Sequence, residues 1–314
     1  MSERRVTKGA TLDLAVAAAL WGGMYVVSAE TFNAIPPATL SLLRLLLGVA
    51  ALVLIAGLRR ESLGWGRVPK QSVLFAGAAV ASSMLLQFGG TALTSAVEGS
   101  VVTMATPVFV LIFGRLIEGV AVPRRAWGGI AVATAGVVAL GLRSASPTSG
   151  GTPDDALARL IGVIMLIGAG ATWALFSSLG RPAIAAVGAR NAVTLCAAVS
   201  IPFLIPFSAA EVVLVGINLS DATAPFSLFA IAYLGFGATA IGWSSWYRGY
   251  AAAPPRLAAG VLFLQPLIAA ALGVGLLNEA IDASLALGAL LLLGGVALIS
   301  SESASGTKRR RVRS

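Results

Sequence analysis

Residues 74–136 of this chain occur twice. Shifting the sequence by 159 positions lays Tyr233–Gly295 over Leu74–Gly136 without a gap, and the landmarks coincide: Gly90 with Gly249, Pro107 with Pro266, Gly129 with Gly288, Gly136 with Gly295. Each copy reads as three apolar segments with a proline inside the middle one. A repeat at fixed offset sets the architecture before any single residue is interpreted. Here the repeating unit is membrane-spanning, because its segments reach the roughly 17 to 25 apolar residues that cross a bilayer as helix.

Ten such runs follow one another, at about 12–29, 36–57, 72–92, 96–117, 124–142, 159–179, 190–208, 226–247, 255–277 and 281–300. Only 11% of the 314 residues are charged, against about 25% in a soluble domain. The net charge of +9 does not point to nucleic acid, since the basic residues sit between the apolar runs and at the two ends. They alternate. Arg4, Arg5 and Lys8; Arg59, Arg60, Arg67 and Lys70; Arg115, Arg124 and Arg125; Arg181 and Arg190; Arg248 and Arg256; and the tail Lys308–Arg313 share one side, while Glu30, Asp154, Asp155, Glu211, Asp221 and Asp282 lie in the other loops with Arg143 and Arg159. Cytoplasmic loops carry the excess of Lys and Arg, which puts both termini in the cytoplasm.

The first span echoes the sixth, Trp173 falling on Trp21 at an offset of 152. This pairing argues against reading the first span as a cleaved signal peptide, which would leave the sixth without a mate. The growth of the offset from 152 to 159 places about seven extra residues in the second half. Val212–Asn218 is the expected place for them, as an outer surface loop or interfacial turn, after a seventh run that Pro202 and Pro206 interrupt. The expected organisation is a cytoplasmic N-terminus at 1–11, a first five-helix repeat at 12–142, a polar periplasmic linker at 143–158, a second repeat at 159–300 and a basic cytoplasmic tail at 301–314. Five spans per half means that the two copies insert upside down relative to each other. Inverted repeats are a recurring design of secondary transporters, in which the substrate sits where the halves meet and the halves exchange shapes at nearly equal energy.

Leu20-Trp21-Gly22-Gly23 in the first span, Leu43-Arg44-Leu45 in the second, Thr106-Pro107 and Gln265-Pro266 in the fourth and ninth, and Asn278-Glu279 followed by Gly288 and Gly294-Gly295 resemble the EamA branch of the drug/metabolite transporter superfamily. Within it the chain looks most like exporters of amino acids and metabolites, including the YddG-type aromatic amino acid exporters. One departure is that Glu279 follows Pro266 by thirteen residues, whereas Glu118 follows Pro107 by eleven.

The candidate substrate-binding residues are the aromatic and polar side chains inside spans. Trp21, Tyr25 and Trp173 can form cavity walls that stack on a ring or meet an ammonium group. Trp246, Tyr247 and Tyr250 are read instead as interface anchors. Ser83, Gln87, Thr103, Ser177, Ser244 and Gln265 supply hydrogen bonds; the hydroxyls can equally bond back to their own helices. Gln87 and Gln265 are the costliest to leave unpaired in hydrocarbon and are expected to face the interior. Arg44 lies about eight residues, on the order of 12 Å, from its span end. It is read either as the receiver of a substrate carboxylate or as one half of a structural pair with backbone carbonyls, Glu98 or Glu279. Pro107 and Pro266 are candidate kinks or hinges, and Glu98, Glu118 and Glu279, near span ends, gate or structural charges.

The absence of histidine and the single cysteine, Cys196, leave no metal constellation and no H-E-x-x-H pair. No GxSG, GxGD or P-loop sequence is present, so neither an intramembrane enzyme nor a nucleotide-driven pump is indicated, and no cofactor or metal is expected. The reading is a monomeric or weakly dimeric inner-membrane exporter of small metabolites, amino acids first among them, working by alternating access. Drugs and nucleotide sugars are the alternative substrates, and a channel or a non-transporting scaffold the alternative classes.

Overall fold

In the computed structural model, which describes residues 8–119, 122, 126–145, 153–252 and 261–302, the described residues form helices and turns without strands. They are α1 (Lys8–Thr31), α2 (Pro37–Leu58), α3 (Lys70–Leu93), α4 (Ala96–Val102), α5 (Thr106–Glu118), α6 (Ala126–Ala145) and α7 (Pro153–Leu179). Then come α8 (Arg181–Val187), α9 (Ala189–Leu214), α10 (Leu219–Ala222), α11 (Pro225–Ala232), a π-helix at Tyr233–Ile241, α12 (Gly242–Ala252), α13 (Leu264–Leu277) and α14 (Ala283–Glu302). Among the described residues, 7 helical stretches are long and apolar enough to cross a membrane, and Ala126–Leu142, Leu264–Leu277 and Ala283–Ile299 are shorter apolar helices. Large apolar side chains such as Leu54, Phe75, Leu116, Leu142 and Leu290 point outward in quantity, as a lipid-facing surface requires and a water-facing one avoids.

Three expectations need correction. Val212–Asn218 is not simply a loop: α9 continues to Leu214 and turns only at Gly216, which takes a positive φ of 82°. Pro202 and Pro206 do not interrupt α9, whose helix is assigned through both; in a bundle, neighbouring side chains and helices make up for the lost backbone bonds. The polar linker is shorter than 143–158, because α6 extends to Ala145 and α7 begins at Pro153. The basic tail, the first seven residues and 253–260 lie outside the described residues.

The prolines of the repeat begin helices rather than bend them. A 3₁₀ turn at Thr103–Ala105 separates α4 from α5, and Pro107 sits in the first turn of α5. Pro266 is likewise in the first turn of α13, after a turn at Phe263. There the absent N–H has no intrahelical partner to lose, so each span is broken at little cost.

The helices pack in matching pairs: α3 against α7 and α1 against α12, α6 against α14, and α9 against both α2 and α3. Glycines set the closest approaches. A Cβ on Gly90 would lie 2.8 Å from the Gly162 carbonyl oxygen and 2.8 Å from Leu166 Cγ, and one on Gly249 would lie 3.0 Å from the Ala10 carbonyl oxygen and 2.7 Å from Leu14 Cγ. Gly162 and Leu166 correspond to Ala10 and Leu14 at the offset of 152. The repeat therefore extends to the partners as well as to the glycines. On α6 and α14, a Cβ on Gly129 would lie 2.8 Å from the Gly295 carbonyl oxygen and one on Gly136 2.8 Å from that of Gly288.

Backbone cannot move aside as a side chain can. Gly295→Ala, whose new methyl would strike the Ala133 backbone, is expected to destabilise by about 1–3 kcal/mol and to lower the thermal midpoint of purified protein in detergent. Gly294→Ala, with open space around it, should leave that midpoint unchanged in the same melt.

Candidate functional site

Polar side chains inside the bundle converge on one hydroxyl. Tyr25 of α1 is buried, 2.6 Å from Thr103 Oγ1, and its oxygen accepts from Gln87 Nε2 of α3 at 2.7 Å and from Gln265 Nε2 of α13 at 3.4 Å. The Thr103 hydroxyl spends its own hydrogen on the Gly99 carbonyl at 2.9 Å, which makes Tyr25 the donor between the two. A phenol has one hydrogen to give and accepts through its lone pairs, so the group is in full use. The sequence arranges this locally. The 3₁₀ turn between α4 and α5 carries Thr103, and Gly22 admits α13, since a Cβ there would lie 2.7 Å from the Gln265 carbonyl oxygen.

Arg44 lies beside a second irregularity. The π-helix at Tyr233–Ile241 places Thr239 Oγ1 where it donates to the Leu234 carbonyl at 2.9 Å and accepts from Arg44 Nε at 2.9 Å. The Ala238 carbonyl of the same turn accepts from Trp21 Nε1 at 2.9 Å. π-bulges collect at functional sites because the wider turn re-aims side chains and carbonyls. Gly48 on α2 makes room, as a Cβ there would strike Thr239.

Aromatic rings line the adjoining helices. Trp21 and Trp246 are tilted against each other with centroids 5.5 Å apart, and Trp173 packs on Phe176 at 5.2 Å and on Trp243 at 6.1 Å. Offset and tilted contacts at these distances are the favoured ones for aromatic quadrupoles.

A cleft of about 560 Å³ opens at the helix ends, lined by Ala29, Glu30, Phe32, Asn33, Thr91, Thr94, Ser95, Asn278 and Glu279 among others. It does not coincide with the Tyr25 group but lies a turn beyond it. Thr91 in its wall donates to the Gln87 carbonyl at 2.8 Å, and a Cβ on Gly99 would lie 2.7 Å from Thr91 Oγ1 and 3.2 Å from Tyr25 Cδ1. At its rim Asn278 adopts a left-handed conformation with φ 54°. This ends α13 in the usual way and turns Glu279 toward α4. Its carboxylate accepts from the Ala96 and Val97 N–H groups at 2.7 and 2.9 Å, a negative group on free helix donors. Glu211 does the same for α2, accepting from Ala38 at 3.0 Å, and from the Thr39 N–H at 2.8 Å and Thr39 Oγ1 at 3.0 Å.

A model of the EamA-like transporter family matches residues 10–142 and again residues 160–301. The chain belongs to the EamA-like transporter family. It is 25% identical over 296 residues to an uncharacterized transporter of Archaeoglobus fulgidus, covering 93% of this chain and 97% of that one. It is 26% identical to the uncharacterized transporter YetK of Bacillus subtilis, covering 92% and 86%, and 27% identical to the uncharacterized inner membrane transporter YedA of Escherichia coli K12, covering 84% and 81%. A crystal structure of a protein shares the fold with a TM-score of 0.62 at 21% identity, over 92% of this chain and 94% of that one.

In this transporter the residues singled out from sequence divide. Tyr25, Gln87, Thr103 and Gln265 come together. Ser83 donates to the Ala169 carbonyl at 3.0 Å and Ser177 to that of Trp173 at 3.0 Å, which is helix packing, and half-buried Ser244 does not join the Tyr25 group. Arg44 pairs with neither Glu98 nor Glu279: Glu98 lies 3.8 Å from Arg159 and Glu279 caps α4. Trp246 and Tyr247, read as interface anchors, are half-buried. Trp246 is tilted against Trp21, as α12 faces α1, and Tyr247 packs against the buried apolar cluster. The side chains of Glu118 and Tyr250 lie outside the described residues. Thr239, Met24 and Phe88 around Arg44, and Glu211, were missed. A threonine inside an apolar run was the one available sign of the first. The π-helix left none, since its copy aligns with the plain helix α3 without a gap.

Tyr25→Phe strips Gln87 of its acceptor inside the bundle. The expected cost is about 1–3 kcal/mol, read as a lower thermal midpoint in detergent. Adding Gln87→Leu should recover part of it, because removing both partners leaves less unsatisfied than removing one.

Proposed function

We propose that this chain is an exporter of small metabolites, amino acids including aromatic ones foremost, that works by alternating access in the inner (plasma) membrane. In this reading ten spans form two inverted five-helix units, 12–142 and 159–300, with both termini cytoplasmic, and the protein acts as a monomer or weak dimer. One observation carries it. The Tyr25 hydroxyl ties α1, α3 and the broken fourth span to Gln265 of the broken ninth, directly beneath a cleft. That is a polar meeting point of the two repeats, where transporters of inverted design place their substrate. The equivalence of the Gly90 and Gly249 contacts supports the idea that each half can take the other's shape.

Roles follow from position. Trp21 and Trp173 wall the path, and Pro107 and Pro266, heading half-helices, let the parts of their spans that follow them swing. Glu279 and Glu98, tied across helices near the cleft, act as gate charges, with Glu118 at the end of α5. The neutral hydrogen bonds of the Tyr25 group are worth about 1 kcal/mol net each, weak enough for a substrate to replace them.

Purified protein in liposomes should show counterflow of at least one labelled amino acid. A panel including nucleotide sugars and cationic drugs separates the substrate classes, and a pH gradient tests coupling. Exchange of drugs or sugars with no amino acid moved would sink the substrate assignment, and single-channel conductance would sink the mechanism. Trp173→Ala should insert normally and slow exchange by about tenfold, as loss of one aromatic contact of ~1.4 kcal/mol would; unchanged kinetics would remove Trp173 from the path.

A further inference from the structure

Arg44 is the only buried basic side chain among the described residues, 2% exposed. Its partners are poor ones for a cation. Nε donates to the Thr239 hydroxyl at 2.9 Å, Nη1 to the Met24 thioether sulfur at 2.8 Å, and Cζ lies 5.5 Å from the centre of the Phe88 ring. No carboxylate of the described residues comes within 4.0 Å of it. The nearest candidates are committed elsewhere: Glu98 to Arg159, Glu279 to the start of α4, Glu211 to the start of α2.

An enclosed guanidinium without a counter-charge is an expensive object. A thioether is a weak acceptor, and a ring face offers less than an anion does. The planar fork of the side chain fits a carboxylate through two parallel, charge-assisted hydrogen bonds. The protein has thus already met the desolvation of the cation, and an arriving anion collects the benefit. A route exists as well. Phe88 covers the guanidinium and packs edge-on against Phe32 at 5.8 Å, and Phe32 lines the cleft. The aromatic pair thus connects the Arg44 enclosure to the cleft wall.

The neighbouring Tyr25 group holds one phenol, two amides and a threonine. None is ionised, so nothing there reads an ammonium by charge. Resting on the transport reading above and sharpening it, we propose that Arg44, behind the Phe88 ring, receives the carboxylate of the transported molecule, and that the selected class is carboxylate anions for which an amino group is dispensable. Glu30 and Glu279 at the cleft would then hinder rebinding of a released anion by like charge.

The test needs no variant at first. Counterflow of a labelled aromatic amino acid by the wild-type protein in liposomes is challenged with four unlabelled competitors of one side chain: the amino acid, its deaminated carboxylate, its carboxamide and its decarboxylated amine. The two carboxylates should compete within about threefold of each other, and the amide and amine at least tenfold more weakly, the loss of a charge-assisted pair. Arg44→Gln should abolish that preference and Arg44→Lys keep it in part. If Arg44→Gln does not insert, the wild-type ratio and the thermal midpoint in detergent with carboxylate against amide still decide. Equal competition by amide or amine overturns the role of Arg44 and leaves amino-acid transport standing. Stabilisation by the carboxylates without exchange of any compound leaves Arg44 standing and overturns transport; neither stabilisation nor exchange overturns both.

Discussion

A bilayer core provides no hydrogen-bond partners, and nearly every polar contact inside this bundle follows from that constraint. Hydroxyls turn back on their own helices, as Ser41, Ser82, Thr91 and Thr94 do toward carbonyls four residues earlier. Free helix donors are met by carboxylates from other helices, Glu279 on α4 and Glu211 on α2. Some side chains bond to another helix, as Trp21, Ser83 and Tyr233 do toward the Ala238, Ala169 and Leu20 carbonyls, and two places gather several polar groups: the Tyr25 group and the Arg44 enclosure.

Two kinds of contact divide the labour of holding the bundle. Glycine-mediated backbone approaches on α3 with α7, on α12 with α1 and on α6 with α14 are close-packed and cannot slide without collision. The Tyr25 hydrogen bonds, by contrast, join separate helices through neutral groups that exchange partners cheaply. The breaks between α4 and α5 and before α13 lie beside the second kind.

The two copies of the repeat differ where the interior chemistry lies. Gln87 reaches Tyr25, while its counterpart Trp246 is tilted against Trp21. The first copy crosses as the regular helix α3, and the second contains the π-helix that sets Thr239 against Arg44 and Ala238 against Trp21. Equivalent scaffolds thus enclose an asymmetric interior.

Much of this was written along the chain. Spans, the twofold repeat and the need for Gln87 and Gln265 to face inward come from hydrophobic run length, landmark spacing and the cost of an unpaired amide in hydrocarbon, all of which are properties of a linear string in a known solvent. Which polar groups would meet was not written there, since Tyr25, Thr103 and Gln265 are brought together by a 3₁₀ turn and by a glycine that admits a distant helix. Nor was the continuity of α9 through two prolines, or the inward packing of Trp246 and Tyr247, because an amphipathic aromatic suits an interface and a bundle interior equally well. Above all, the chain shows one arginine in an apolar run. Only the packed structure decides that it stands without a carboxylate among the described residues, since partners of a buried charge are chosen by distance in space and the sequence orders residues only along the backbone.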